Sequence, residues 1–186
     1  MDLWDLTVNT PAGTAAQAAI GIRGTLQLVD GFFDASTGNV ALTSNATGTG
    51  RLGPVASGAS YGGNLTVQRY IPAGHTNWRM LGSPVAGQTV NEWKDDFFTA
   101  GFPGSHYPNF YDPPASGILW PSIRWYDETN TFPSADSGEV GVSSTAQALI
   151  PGQGFRAWCG DTFTGTNAFT VDLTGAPTIA QSPFTL

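Results

Sequence analysis

The stretch of sequence that decides the fold runs from Gly62 to Val85 and reads GGNLTVQRYIPAGHTNWRMLGSPV. Between residues 64 and 71 the side chains alternate in character, which is the period of two that marks a β-strand. A Pro-Ala-Gly turn ends this strand, and a second strand begins at Trp78. The chain before this stretch is rich in Gly, Thr and Asn, whereas nearly all the large aromatic residues follow it. We therefore interpret the stretch as the junction between two kinds of β-structure.

The composition favours an all-β fold. Charged residues make up only 11% of the chain, against about a quarter in ordinary soluble domains. The 24 glycines and 13 prolines interrupt the sequence too often for long helices, and both residue types form turns. With 186 residues, of which 40% are apolar, the chain can bury a core and is too apolar for a disordered segment.

The N-terminal 60 residues contain short strand-like runs separated by turn residues, namely LWDLTVN, AAIGIRG, TLQLVDGFFD, NVALTSN and GRLGPV. Such runs suit the rungs of a β-solenoid or a flat meander. Later strands are predicted near 64–71, 77–83, 117–127, 139–150, 154–160 and 167–173. We predict a short-strand β-repeat segment in 1–60, packed on an antiparallel, jelly-roll-like β-sandwich in 61–186. A single continuous unit is the alternative.

A long irregular segment, residues 88–116, interrupts the second part. Its NEWKDDFF run predicts one or two helical turns, with Asn91 as the cap and with Trp93, Phe97 and Phe98 on one face. The remainder carries four prolines and cannot form regular structure. Loops of this length in a domain are packed by their own side chains and are often functional.

The charge argues against two classes of partner. The net charge is −7, and Lys94 is the single lysine, so no basic stripe is available to neutralise nucleic-acid phosphates or to bind an anionic membrane. No apolar run approaches the roughly 20 residues of a spanning helix, so we expect no membrane insertion. Met1 leads into Asp2 without the basic and apolar regions of a signal peptide. We expect the chain to be a segment of a longer extracellular protein.

Several of these runs together resemble a module of large secreted proteins of Bacteroidota-type bacteria. The resemblance rests on TVQRYIPAGHTNWRMLGSPVAGQTVNEW, on the Phe-Pro-Gly of GFPGS, on the Trp-Tyr-Asp-Glu run at 125–128 and on LIPGQGFRAW. In those proteins the module commonly follows low-complexity β-repeats, and residues 6–34 are similar to that repeat style. The resemblance covers most of the chain and implies export, usually by a type IX route. It also implies a secreted or cell-surface location, with neighbouring domains of a longer surface protein as partners.

Aromatic residues crowd between positions 93 and 126. We favour the interpretation that they anchor the loop and the core, because large rings cover the most area per residue. The alternative is a carbohydrate site, since flat rings can pack on sugars. Trp125 and Trp158 are expected in the core. The candidate sugar-binding residues are Trp93, Tyr107, Tyr111, Trp120 and Tyr126.

Four arginines lie inside predicted strands among apolar neighbours and are expected to act as structural clamps paired with carboxylates of the chain. Binding of a substrate carboxylate is the alternative. Asp127 and Asp161 are the expected partners of Arg124 and Arg156. Lys94 carries a further hypothesis, an isopeptide bond to an Asn or Asp, which would lower the intact mass by one ammonia or one water. The four arginines are Arg69, Arg79, Arg124 and Arg156.

The sequence offers few groups for chemistry. The turn from Asp136 to Glu139 is the best candidate for a structural calcium, with an Asx-type turn as the alternative, and we expect no other cofactor. Cys159 lies in an apolar run and predicts a buried, inert thiol. The two histidines have no spaced partners that would form a metal site or a triad.

We therefore predict a non-catalytic structural, adhesion or assembly module. A carbohydrate-binding module is the first alternative. A fragment of a glycan-acting hydrolase is the second, and it would need two carboxylates facing each other across a cleft.

Overall fold

The computed structural model describes residues 1–129, 138–162 and 164–179. Within these ranges the chain is nearly all β, which confirms the predicted fold class. The chain forms two compact units. Unit 1 comprises Met1–Ile71, Pro84–Gly87 and Thr170–Leu186, and unit 2 comprises Pro72–Ser83 and Gln88–Phe169.

Short strands dominate unit 1. They are β1 (Asp2–Leu3), β2 (Leu6–Asn9), β3 (Thr14–Ala15), β4 (Ile20–Ile22), β5 (Thr25–Asp34), β6 (Val40–Leu42), β7 (Ser44–Asn45), β8 (Gly48–Thr49), β9 (Arg51–Leu52), β10 (Ala59–Gly62) and β11 (Leu65–Ile71), with β16 (Phe169–Gly175) returning late in the chain. Unit 2 contains β12 (Asn77–Leu81), α1 (Asn91–Lys94), β13 (Ile123–Tyr126), β14 (Glu139–Gly141) and β15 (Phe155–Cys159).

Parallel pairing organises the first sheet of unit 1, whose strand order is β1-β4-β6-β11-β16. Leu3, Ile22, Leu42 and Val67 occupy equivalent positions on four successive parallel strands. Apolar side chains therefore stack above one another from strand to strand, and Ile22 in the second strand is fully buried. A meander would instead pair its strands antiparallel.

A second set of parallel strands gathers around β5, the longest strand of the unit. Leu6, Leu26 and Leu52 align across β2, β5 and β9. Further along β5, Phe33 aligns with Tyr61, and their rings meet edge to face with centroids 5.7 Å apart. Leu26 and Phe33 belong to the buried hydrophobic cluster that forms the core of the unit, and Leu6, Leu52 and Tyr61 are partly buried against it.

The boundary between the units differs from the predicted division at residue 60. Strand β11 belongs to unit 1 because it extends the parallel stack beside β6. Strand β16 then returns to pair with β11, and Thr174 shares a 2.7 Å hydroxyl–hydroxyl hydrogen bond with Thr66. The first unit is thus completed by a segment more than a hundred residues away in sequence.

Unit 2 contains one antiparallel sheet among its described strands, in the order β12-β15-β13-β14. The strand predicted at 117–127 begins only at Ile123, and the one at 139–150 ends at Gly141. The remainder of both predicted ranges is mostly irregular, with isolated bridges at Leu119 and Ala148. The jelly-roll arrangement of the sandwich stays a prediction.

The helical turn predicted in NEWKDDFF is present as α1, and Trp93 is buried on it. Phe97 and Phe98 are also buried, but they lie beyond the end of the helix and do not share its face. The cap differs from the prediction, because Asn91 is already helical. The Glu92 carboxylate instead accepts hydrogen bonds from the Thr89 backbone N–H at 2.6 Å and its hydroxyl at 2.7 Å.

Candidate functional site

The sheet of unit 2 has two chemically different faces. On one face Phe155, Ala157 and Cys159 of β15 are fully buried, and the ring of Phe155 meets that of Trp93 edge to face at 5.6 Å. The alternate residues of β15, Arg156 and Trp158, point to the other face and are only partly buried. We call this second side the open face.

Three tryptophans form a cluster on the open face. Trp78 and Trp158 are direct cross-strand partners in β12 and β15, with ring centroids 5.5 Å apart. Trp120 packs against both, at 5.3 Å from Trp78 and 6.0 Å from Trp158. Such offset and edge contacts contribute about 0.5–1.5 kcal/mol per pair beyond buried area. The cluster therefore gives the open face a rigid aromatic base.

The guanidinium of Arg124 lies over two of these rings, 5.4 Å from the centroid of Trp78 and 5.4 Å from that of Trp120. Its Nε donates a 2.9 Å hydrogen bond to the carbonyl of Pro121, and its terminal nitrogen lies 3.4 Å from Glu139. Only 23% of this side chain is exposed. Arg124 is thus fixed by stacking and by hydrogen bonds together.

Arg156 shares the same ring and the same carboxylate but is more open to solvent. Its guanidinium lies 4.3 Å from the centroid of Trp78, and it donates to the second carboxylate oxygen of Glu139. Its side chain is 41% exposed. Glu139 therefore bridges two arginines, and these three groups together carry one excess positive charge in a chain of net charge −7.

A cleft of about 220 Å³ opens beside these groups. Met80 and Tyr126 stand at its rim with exposed fractions of 73% and 57%. Gly138 lies beneath the tyrosine ring, where an added Cβ would come 2.5 Å from the ring Cε2. The cleft is lined by Met80, Arg124, Trp125, Tyr126, Glu139, Gln153, Gly154 and Arg156.

The structure separates the five residues predicted to bind sugar. Trp93 is buried, which corrects its assignment to a binding platform: its ring packs on Phe155 beneath the sheet. Tyr107 is half exposed, and one side of its ring meets Phe98. Tyr111 is partly buried and forms an isolated β-bridge with Leu119. Trp120 and Tyr126 do lie on the open face, one in the tryptophan cluster and one at the cleft.

Two of the four arginines predicted to be clamps form ion pairs among the described residues. Arg124 and Arg156 form ion pairs, but their shared partner is Glu139 rather than Asp127 or Asp161. The reason is the register, which sets β14 directly beside β13. Asp127 and Asp161 are instead held by turn hydrogen bonds to Thr129 and Asn167, which lower the pKa of each carboxyl group.

The other two arginines do not fit the clamp prediction. Arg69 is exposed on β11, and Arg79 has a buried Nε without a hydrogen-bond partner. Neither forms an ion pair with a carboxylate among the residues that the structure describes.

Of the two residues predicted to bind calcium, Asp136 lies outside the described residues. Its proposed companion Glu139 is occupied by two guanidiniums. Within the described ranges no group of three His, Cys, Asp or Glu side chains is arranged to hold a metal ion.

The remaining candidates lie away from the open face. Burial raises the pKa of the Cys159 thiol to about 12, and the side chain is fully buried as predicted. His106 accepts a 3.1 Å hydrogen bond from the Thr99 backbone through Nδ1. Burial and the nearby charge of Lys94 lower the histidine pKa. Lys94 itself is partly exposed.

Sequence reasoning missed Trp78, Met80 and Trp158 as site residues. A signal existed, because residues 78 and 80, like 156 and 158, share a face of their own strand under the period of two. What the sequence did not contain was the antiparallel register that places Trp78 opposite Trp158 and Met80 opposite Arg156.

Comparison of the chain with protein-family models, with curated proteins and with solved structures found no match. Among the described residues no helix is both long and apolar enough to cross a membrane.

Unit 1 contains a groove of its own, with a volume of about 410 Å³ and with Leu42, Leu65 and Pro177 in its lining.

Proposed function

We propose that this chain is a non-catalytic structural and adhesion module of a secreted or cell-surface protein, and that it binds glycans through the open face of unit 2. In this proposal the parallel rungs of unit 1 form a short β-solenoid segment that serves as a rigid support. The observation that carries the proposal is the guanidinium–tryptophan stack beside the Tyr126 cleft.

The first support is the exposure of large side chains at the cleft. Met80 and Tyr126 keep more than half of their surface in solvent, although burying an apolar or aromatic side chain is worth about 1.5–3 kcal/mol. Aromatic rings at a partly apolar cleft with a few polar groups are typical of ligand sites. A sugar ring offers a flat apolar face to Tyr126 and hydroxyls to the neighbouring polar groups.

The second support is preorganisation. Arg124 is held by two rings, one carbonyl and one carboxylate, and Gly138 leaves room for the Tyr126 ring directly above it. Ordering a flexible side chain on binding costs about 0.5–1.5 kcal/mol. Side chains that are already ordered avoid this loss when a ligand binds.

The experiment is a binding screen of the full chain against neutral and acidic oligosaccharides, with Tyr126→Ala as the test variant. Tyr107→Ala is the matched control, since Tyr107 is a similarly exposed tyrosine of the same unit but does not line the cleft. We expect Tyr126→Ala to weaken glycan binding at least about tenfold, equivalent to 1.4 kcal/mol, with an unchanged unfolding temperature. Equal losses in both variants, or no glycan binding by the wild type, would contradict the proposal.

A further inference from the structure

We infer that the glycan recognised by the open face carries carboxylate groups, as in chains of uronic acids, and that Arg156 binds the carboxylate. The inference rests on the proposed function and specifies its ligand class. It starts from the charge balance at the cleft, where two guanidiniums share the single carboxylate of Glu139. The excess positive charge has no described acidic partner at the cleft.

The two arginines are not equivalent. Arg124 is enclosed by Trp78, Trp120, the Pro121 carbonyl and Glu139. Arg156 stacks on Trp78 alone, and its one hydrogen bond within the described part of the chain runs to Glu139. A guanidinium has five N–H donors, so most of those on Arg156 remain available on the solvent side. Arg156 is therefore the group that can receive a ligand anion.

The geometry favours a carboxylate over a neutral hydroxyl. Arginine presents a planar fork that matches both oxygens of a carboxylate, and such charge-assisted pairs are about twice as strong as neutral hydrogen bonds. Stacking on Trp78 holds the plane of the Arg156 fork in place. A neutral sugar would leave this fork hydrated and would gain little from it.

The dimensions of the cleft limit what enters it. Its volume of about 220 Å³ is below the roughly 300 Å³ at which pockets begin to enclose drug-sized ligands. One sugar ring can therefore sit between Tyr126, Gln153 and Gly154, while the rest of the glycan lies along the surface. Arg156 lines the same cleft, so the carboxylate of that ring would come within reach of its guanidinium.

The test compares an oligogalacturonate with the same oligosaccharide after methyl esterification, which removes the charge and keeps the ring. We expect the full wild-type chain to bind the acid form at least about tenfold more tightly than the ester. That preference should shrink as salt is raised from 50 to 500 mM, since exposed charge pairs are screened.

The variants assign the preference to one residue. Arg156→Gln should bind the acid form and the ester with equal affinity, whereas Arg156→Lys should retain part of the preference for the acid form. Arg23→Gln is the control, because Arg23 forms an exposed ion pair with Asp2 in unit 1. An unchanged preference in a folded Arg156→Gln protein would overturn the assignment to Arg156.

The outcomes for the two proposals are distinguishable. Equal binding of acid and ester by the wild type would overturn the carboxylate inference and leave glycan binding intact. A clear preference for a sulfated oligosaccharide of the same length would also overturn it in favour of a different anion. Binding of none of these glycans would reject the proposed function and the inference together. The acid–ester comparison uses only the wild-type chain, so it tests the carboxylate preference even if Arg156→Gln unfolds.

Discussion

At the scale of single residues, Trp78 connects four side chains of the open face. Its ring contacts two other tryptophans and lies under both Arg124 and Arg156. Cation–π contacts contribute about 0.5–1 kcal/mol when exposed and about 2 kcal/mol when desolvated. The ring therefore supports both the stability of the sheet and the orientation of the guanidiniums.

We predict that Trp78→Ala lowers the free energy of unfolding by about 3 kcal/mol, the lower end for a large aromatic residue because the ring is only partly buried. Urea unfolding followed by circular dichroism measures the change. Trp4→Ala is the control, since Trp4 is largely exposed and should change stability by less than about 0.5 kcal/mol. A similar small effect of Trp78→Ala would show that the stack contributes little.

Cys159 gives a second prediction at this scale. Burial keeps the thiol protonated in the folded chain, with a pKa of about 12, whereas an unfolded chain ionises it near about 8.5. The stability linked to this proton is therefore complete below about pH 8.5 and is lost as the pH rises towards the folded value. At pH 8.5 a chromogenic disulfide reagent should leave the native thiol unmodified and react fully in urea. Rapid reaction of the native protein would contradict the burial.

At the scale of elements, the aligned parallel strands of unit 1 depend on side chains stacked in register. Ile22 is fully buried at the centre of the β1-β4-β6 ladder, between Leu3 and Leu42 in register. Removing its side chain leaves a cavity that the flanking strands cannot fill without breaking their own pairing.

Ile22→Ala should therefore lower the free energy of unfolding by about 2–5 kcal/mol. Val29→Ala provides the comparison, because Val29 lies on β5 in the same unit but is exposed; its change should stay within about 0.5 kcal/mol. Thermal or urea denaturation distinguishes the two. Equal effects would mean that the stacked register does not carry the stability of the unit.

Sequence reasoning was informative where the signal was local. The alternation from Leu65 to Ile71 predicted β11 within one residue of its observed start. The helical turn at Trp93 was also predicted, although it ends before Phe97. Sequence reasoning failed where the register between distant strands decides which residues meet. Trp93 was counted as a sugar-binding candidate although it is buried, and the pairing of Trp78 with Trp158 joins strands eighty residues apart.

At the scale of the whole molecule, the chain leaves unit 1 after β11 and comes back for residues 84–87 and again at residue 170. Strand β16 supplies the neighbour that β11 pairs with, together with the hydroxyl hydrogen bond between Thr66 and Thr174. A sequence-local division at residue 60 could not anticipate this return, because no local pattern tells a strand which sheet it will join.

Deleting residues 170–186 should consequently destabilise unit 1, although the strands of unit 2 are all retained. Hydrogen exchange is the measurement, with faster exchange expected in β11 and β6 than in β13 and β15. A chain ending at Ile179, which keeps β16, is the control. Unchanged protection of β11 after the longer deletion would contradict the role assigned to β16.

The same return of the chain bears on how a tensile load would travel. A pull applied between Asp2 in β1 and Gly175 in β16 enters and leaves through strands of one sheet. While that sheet holds, the load passes across its hydrogen bonds, and residues 72–83 and 88–169 stay slack. The open face of unit 2 would thus keep its geometry under tension until β16 separates from β11.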